Sequence, residues 1–437
     1  MQMRHFFVAA TLLAGARGIV AAQALPAGFN YDEAKVVATP MIDPLTTPTG
    51  ERITTESEWR AHREVLLRAF EANVFGRVPE AARRLPLRYT VVETDTPALH
   101  GLALRRQVDI SLAKGEGAPV MHLLLYLPMH AKGPSPVILG LNFEGNASVS
   151  DDPGVLATPV WQAAEKRGDP PRLVSFPAVM RGAQQSEWQV EMILQHGYGL
   201  ATIYYGDIEP DFKNASQLGV RARYADAAAS DAWGALSAWA WGLSRALDYL
   251  RTDPKIDAKE IAVTGHSRLG KAADWAAAQD TRFAALLSTE SGKGGQSLYH
   301  RNFGETIAHL EHSFPYWFSG EYAQWVDHDA QIPVDGNLLL ALVAPRPLYV
   351  ASAQDDLFSD PRGEFLAASN VGEVYALFGK RGLGTSMMPA ANEPIQHDVA
   401  YHMRTGKHDV TAYDWEQYLK FLDQEFGSPM TTSEGKR

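Results

Sequence analysis

The apolar positions of this chain change their period twice. Thr55-Glu56-Ser57-Glu58 has the spacing of a capping box, and behind it Trp59, Leu66, Phe70 and Val74 recur at helical spacing until Gly76 offers a stop. The pattern therefore predicts a helix from residue 56 onward. From Leu87 to Leu127 the period falls to two. Leu102, Leu104, Val108, Ile110 and Leu112 share one face, and Met121, Leu123, Leu125 and Leu127 share another, which predicts antiparallel strands with one solvated face. After Pro136 the alternation gives way to unbroken apolar runs at 137–141, 200–204, 261–263, 284–288 and 348–353. Runs of that kind fit strands buried on both faces. Helical stretches separate them, among them 232–250, whose Trp233, Trp239 and Trp241 are expected in the core.

Antiparallel strands followed by alternating βα units are the layout of an α/β-hydrolase sheet, a three-layer sandwich with a mostly parallel centre. Residues 292–333 are long, aromatic and poorly periodic, and are expected to form an insertion over the active edge of that sheet. Residues 25–52, rich in Pro and Thr, read as an extended lead-in. Before them, residues 1–24 carry Arg4 and His5, an apolar run over 6–13, and Ala22-Gln23-Ala24. That is the pattern of a secretory signal, so the expectation is an exported, periplasmic or extracellular protein with a single catalytic domain over 25–437.

The chain of 437 residues is 46% hydrophobic, enough for a large core, and holds no cysteine. Disulfides, thiolate metal sites and a cysteine nucleophile are thereby excluded. The formal charge is −11, and about −13 without the first 24 residues, which hold two arginines and no acid. Such a balance repels phosphate backbones and anionic lipid, and no later segment is apolar enough to span a bilayer, so neither nucleic acid nor membrane is an expected partner.

The candidate chemistry centres on Ile261–Trp275, IAVTGHSRLGKAADW, which reads as strand, tight turn and helix with Ser267 at the turn. A serine there is either a nucleophile exposed by a strained elbow or a helix N-cap. Gly265 precedes it by two, but the second glycine, Gly270, stands one place later than the usual elbow has it. Chain order in this fold runs serine, acid, histidine. Glu290 follows one strand and Asp356 the next, with Asp355 a neighbouring competitor. Of the late histidines, His408 lies in a glycine-bearing loop before the last helix, with His397 as fallback. Arg268 would place a backbone N–H, and its guanidinium, near a developing oxyanion. Lys271 lies one turn along the same helix face. Arginine and lysine beside a serine suit an acyl group bearing hydroxyls or acidic oxygens.

These segments resemble a glucuronoyl esterase, carbohydrate esterase family 15, of the bacterial type. The resemblance is carried by GHSRLGK (265–271), TESGKGG (289–295), PYWFS (315–319), APRPL (344–348), DDLFSDP (355–361) and GKHD (406–409). Where many fungal members have a cysteine before the serine, His266 stands here. The resemblance implies hydrolysis of the ester between (4-O-methyl-)glucuronic acid of glucuronoxylan and a lignin alcohol, without cofactor or metal and by a monomer. It implies Ser267 as nucleophile, His408 as base, Arg268 as oxyanion stabiliser, and Glu290 and Asp356 both as triad acids. Lys271 would bind the uronate hydroxyls, Glu305 would stand where fungal members have a sugar-binding glutamine, and Phe358 where they have a tryptophan. Other readings are a general carboxylesterase or acetyl-xylan esterase on the same fold, a metal site at His309, His312, His328 and Asp329, and a carbohydrate-binding protein using Trp317 and Trp325 as exposed platforms.

Overall fold

The computed structural model describes residues 28–427 except 38, 164–169, 214 and 225–228, so the expected signal over 1–24 lies outside the described residues. Helix α1 (Glu56–Phe70) begins with the reciprocal cap its sequence predicts. The Thr55 hydroxyl accepts from the Glu58 N–H at 3.3 Å, and the Glu58 carboxylate accepts from the Thr55 N–H at 3.0 Å. Trp59, Leu66 and Phe70 face inward, and a π turn over Glu71–Phe75 carries the coil to Gly76, which ends it at φ 75°.

One ten-stranded sheet organises the rest: β1 (Tyr89–Ala98), β2 (Ala103–Ser111), β3 (Val120–Pro128), β4 (Ser135–Asn142), β5 (Gly199–Tyr204), β6 (Ile256–His266), β7 (Ala285–Thr289), β8 (Leu348–Ala353), β9 (Ile395–Gln396) and β10 (Val399–Arg404). Their spatial order is β1-β2-β3-β5-β4-β6-β7-β8-β10-β9. The first three are antiparallel, while β5, β4, β6, β7, β8 and β10 run parallel, as in an α/β-hydrolase sheet. All five unbroken apolar runs are central strands.

The solvated face expected for the early strands survives only on β1. Strand β3 lies between β2 and β5, so Leu124 and Tyr126 are buried along with Leu123 and Leu125. On β2 the polar side is covered as well: Arg105 is buried against Asp152 at 2.7 Å and Glu93 at 2.6 Å. Polar letters there mark a buried ion network rather than water.

Each face of the sheet carries its own core. Helices α1, α2 (Ala235–Leu250), α3 (Arg268–Gln279) and α4 (Pro361–Asn370) pack on one side against Leu139, Val263, Leu286 and Val350. Helix α5 (Ala412–Phe426) packs on the other, setting Trp415, Tyr418 and Leu422 on Ala262, Leu287 and Tyr349. Burying a side chain of this size contributes about 1.5–3 kcal/mol, and two such cores hold together a chain without disulfides. Trp233, Trp239 and Trp241 are core, as their spacing predicts. No helix among the described residues is long and apolar enough to cross a membrane.

Candidate active site

Strand β6 ends at His266, α3 starts at Arg268, and Ser267 between them sits at φ 57°, ψ −129°. A non-glycine residue in such a conformation costs on the order of 1–3 kcal/mol. Its side chain caps nothing, which removes the N-cap reading. Both glycines of the turn are explained by close approach. A Cβ on Gly265 would lie 2.1 Å from the Leu269 carbonyl oxygen, and one on Gly270 2.9 Å from the Ser291 Cβ. The first turn of α3 is thus pressed onto β6 and onto the chain leaving β7. The contact with that chain falls at residue 270, which is why the second glycine is displaced. As the first residue of α3, Arg268 has a backbone N–H beyond the reach of the helix's own ladder.

Four adjacent parallel strands bring the other groups to the same edge. Ser267 N–H donates to the Thr289 carbonyl at the end of β7 (3.0 Å), and Glu290 N–H to Ala351 in β8 (2.9 Å). Beyond β8, Asp355 N–H donates to Gly406 (2.9 Å), in the loop that leaves β10 with His408. His408 Nδ1 lies 2.7 Å from Asp356 Oδ2 and 3.0 Å from Glu290 Oε2. Its ring lies on that of His266, centroids 4.4 Å apart, directly before Ser267 in the chain. Burial opposes charge on His408, but the two carboxylates prevail and hold its pKa above the ordinary histidine range. Burial likewise opposes charge on Asp356, and the hydrogen bond and charge of His408 hold its pKa below the ordinary carboxylate range.

The facing left open by the sequence is settled. Asp356 is buried, and its neighbour Asp355 is exposed. His397 stays near the sheet's edge with Arg381 (3.2 Å), and buried His402 binds Asp414 (2.8 Å). The two acids are not equivalent. Asp356 hydrogen-bonds the imidazole, whereas Glu290 accepts from Arg404 at 2.8 Å and from the Asp409 N–H at 3.0 Å.

The Arg268 guanidinium is ion-paired with Asp211 and ringed by Phe143, Phe314 and Trp317, its Cζ 5.1 Å from the tryptophan centroid. Asp211 also accepts from Tyr316 (2.8 Å) and Trp317 (2.6 Å). Burial works against the charge of Arg268, and Asp211 more than offsets it. Lys271, whose N–H donates to the Ser267 carbonyl (3.0 Å), sends its ammonium to Glu305 at 3.1 Å and to the Ser291 carbonyl. Glu305 N–H donates to the Phe358 carbonyl (2.9 Å), so Lys271, Glu305 and Phe358 form one wall. Phe29 completes it: its ring meets Phe358 and His309 edge-on, both at 5.2 Å. Beside it, Asn30 accepts from Gly304 N–H (2.9 Å), and burial and the charge of Asp356 raise the Tyr31 phenol's pKa. No sequence signal marked this lead-in as part of the site.

Two other expectations are corrected. Trp317 is no exposed platform; it is 3% exposed and stacked on Phe314 at 3.9 Å beneath Arg268, while Trp325 is half-buried. His309, His312, His328 and Asp329 do not converge: His309 packs among aromatic rings and Asp329 accepts from the Ile307 N–H (3.1 Å). Among the described residues, the one group of three His or acidic side chains close enough to share an ion is His266, Glu290 and His408, all of them part of the constellation above.

A family model described as glucuronyl esterase, fungi, matches residues 170–379. A glucuronoyl esterase structure from Solibacter usitatus superposes with a TM-score of 0.85 at 46% identity, covering 90% of this chain and 100% of that one. Carbohydrate esterase MZ0003, from an unknown prokaryotic organism, is 43% identical over 408 residues, 92% of this chain and 93% of its own. A 4-O-methyl-glucuronoyl methylesterase from Podospora anserina is 34% identical over 168 residues, 36% of this chain and 35% of its own. The chain belongs to the glucuronoyl esterases, carbohydrate esterase family 15, and is a carboxylic ester hydrolase with the α/β-hydrolase fold.

Proposed function

We propose that this enzyme hydrolyses the ester joining (4-O-methyl-)glucuronic acid of glucuronoxylan to a lignin alcohol, through an acyl-enzyme on Ser267. One observation carries the reading: the His408 imidazole lies against His266, the residue directly before the strained serine, with a carboxylate on its Nδ1, and a buried Lys271–Glu305 pair stands one helical turn along from that serine. His408 takes the serine proton as the hydroxyl attacks the uronoyl carbonyl. The oxyanion gathers on donors at Arg268, whose orientation Asp211 fixes before the reaction begins. The alcohol departs with the proton from His408, and water repeats the cycle on the acyl-enzyme. Asp356 holds the imidazole in the tautomer that presents Nε2 to the serine and stabilises its cation. Lys271 and Glu305 offer a donor and an acceptor to the uronate hydroxyls, and Phe358 with Phe29 an apolar edge. The same reading takes residues 25–437 as one catalytic domain, exported and monomeric.

A pocket that hydrogen-bonds sugar hydroxyls should reject an acyl group without them. Comparing methyl glucuronate, methyl galacturonate and p-nitrophenyl acetate tests this. The expected kcat/KM for the glucuronate exceeds that for the galacturonate roughly 10- to 100-fold, because inverting one hydroxyl leaves a buried polar group unpaired. Equal efficiency on all three would make the enzyme a general carboxylesterase.

A further inference from the structure

Arg404 closes β10, is 3% exposed, and is absent from the chemistry just described. Its guanidinium joins three parts of the site. Nε donates to Asp414 Oδ2 (3.0 Å) in the first turn of α5, and Nη2 to Glu290 Oε1 (2.8 Å). The same Nη2 reaches the carbonyls of Lys407 (2.8 Å) and Asp409, and Nη1 that of Thr405 (3.2 Å), so carbonyls on both sides of His408 are gripped. Asp414 is fixed in turn by the Thr411 N–H (2.7 Å) and hydroxyl (2.8 Å) and by His402 Nε2 (2.8 Å). The free side of the clamp is closed by Glu290, whose second oxygen takes the Asp409 N–H.

We infer that Arg404 is a positioning residue of the reaction: it holds the His408 loop against the elbow, and it offsets the charge of Glu290 so that the imidazole is opposed in full only by Asp356. The inference rests on the reading of His408 as base. The groups facing His408 are Asp356, Glu290 and His266. Those facing Glu290 are Arg404, His408, His266 (3.5 Å) and the Asp409 N–H, with the Tyr418 hydroxyl held nearby by Thr289. Without the guanidinium, a buried carboxylate would act uncompensated on the imidazole and favour the imidazolium, which is no base. Geometry and charge then make separable contributions. A guanidinium grips several acceptors in fixed directions, whereas an ammonium supplies charge without that fork.

The test is the pH profile of kcat/KM, whose acid limb reports the base in the free enzyme. Arg404→Gln should lower kcat roughly 100-fold, as misplacement of a catalytic group does. It should also move the acid limb upward by about one pH unit, the size of effect expected from a lost opposite charge. Arg404→Lys should lower kcat and leave the limb in place. Glu290→Gln/Arg404→Gln, which removes both charges together and spares the fold an unpaired buried ion, should return the limb toward that of the wild type. An unmoved limb in both Arg404→Gln and the double variant, with activity lowered equally at every pH, would leave Arg404 a structural residue only and overturn the proposal. So would Arg404→Lys with full kcat. If His408→Ala retained turnover, the reading of the base would fail instead, which keeps the two failures distinct.

Discussion

Ser267→Ala is expected to lower kcat on a benzyl glucuronate ester by about a millionfold while shifting the melting temperature by no more than about 2 °C. The kinetic loss is of the order seen when a nucleophile is removed from a serine triad, where residual turnover comes from binding and the oxyanion donors alone. The small thermal effect follows from the structure. The hydroxyl caps no helix N–H, and the backbone strain at φ 57° remains with alanine in its place. Calorimetry together with single-turnover kinetics checks both halves. Turnover above a thousandth of the wild-type rate would remove Ser267 from the role proposed for it.

The second large effect separates the two acids. Asp356→Asn is expected to cost about 10³–10⁴ in kcat, because an amide that donates to Nδ1 places the imidazole proton on Nε2 and takes away the base. Glu290→Gln is expected to cost only about tenfold. Its oxygens already serve Arg404 and the Asp409 N–H, and its approach to Nδ1 is the longer of the two. The pH profiles carry a sign. His408 is raised above its ordinary value by both carboxylates, and the base form exists only above that raised value, so activity climbs as pH rises through it. Removing either negative charge lowers the histidine's pKa and shifts the acid limb to lower pH. If Glu290→Gln proved the more damaging variant, Glu290 would be the acid that orients His408.

The buried strands were legible because a sheet covered on both faces leaves unbroken apolar runs, and those runs set the order in which serine, acids and histidine reach one edge. β10 escaped because His402 and Arg404 interrupt its apolar letters; both are hydrogen-bonded to Asp414, which lies on a helix. The displaced glycine looked like a defect of the elbow until Ser291 appeared behind it. Asp211 and Phe29 carried no local signal at all. An acid 57 residues before its arginine, and a phenylalanine in a proline-rich lead-in, become informative only when folding brings them beside Arg268 and Phe358. The error over Trp317 has the same origin. An aromatic in a poorly periodic stretch reads as exposed, yet this one forms the floor beneath a half-buried guanidinium.

Three cations of the site each stand with an anion at contact distance: Arg268 with Asp211, Lys271 with Glu305, and Arg404 with Glu290. The cleft consequently offers direction without surplus attraction for negative charge. A uronate ester arrives neutral, and hydrolysis turns its acyl half into an anion among groups whose counterions are already in place. Nothing in that balance retains the acid, so the step that makes it also weakens its hold.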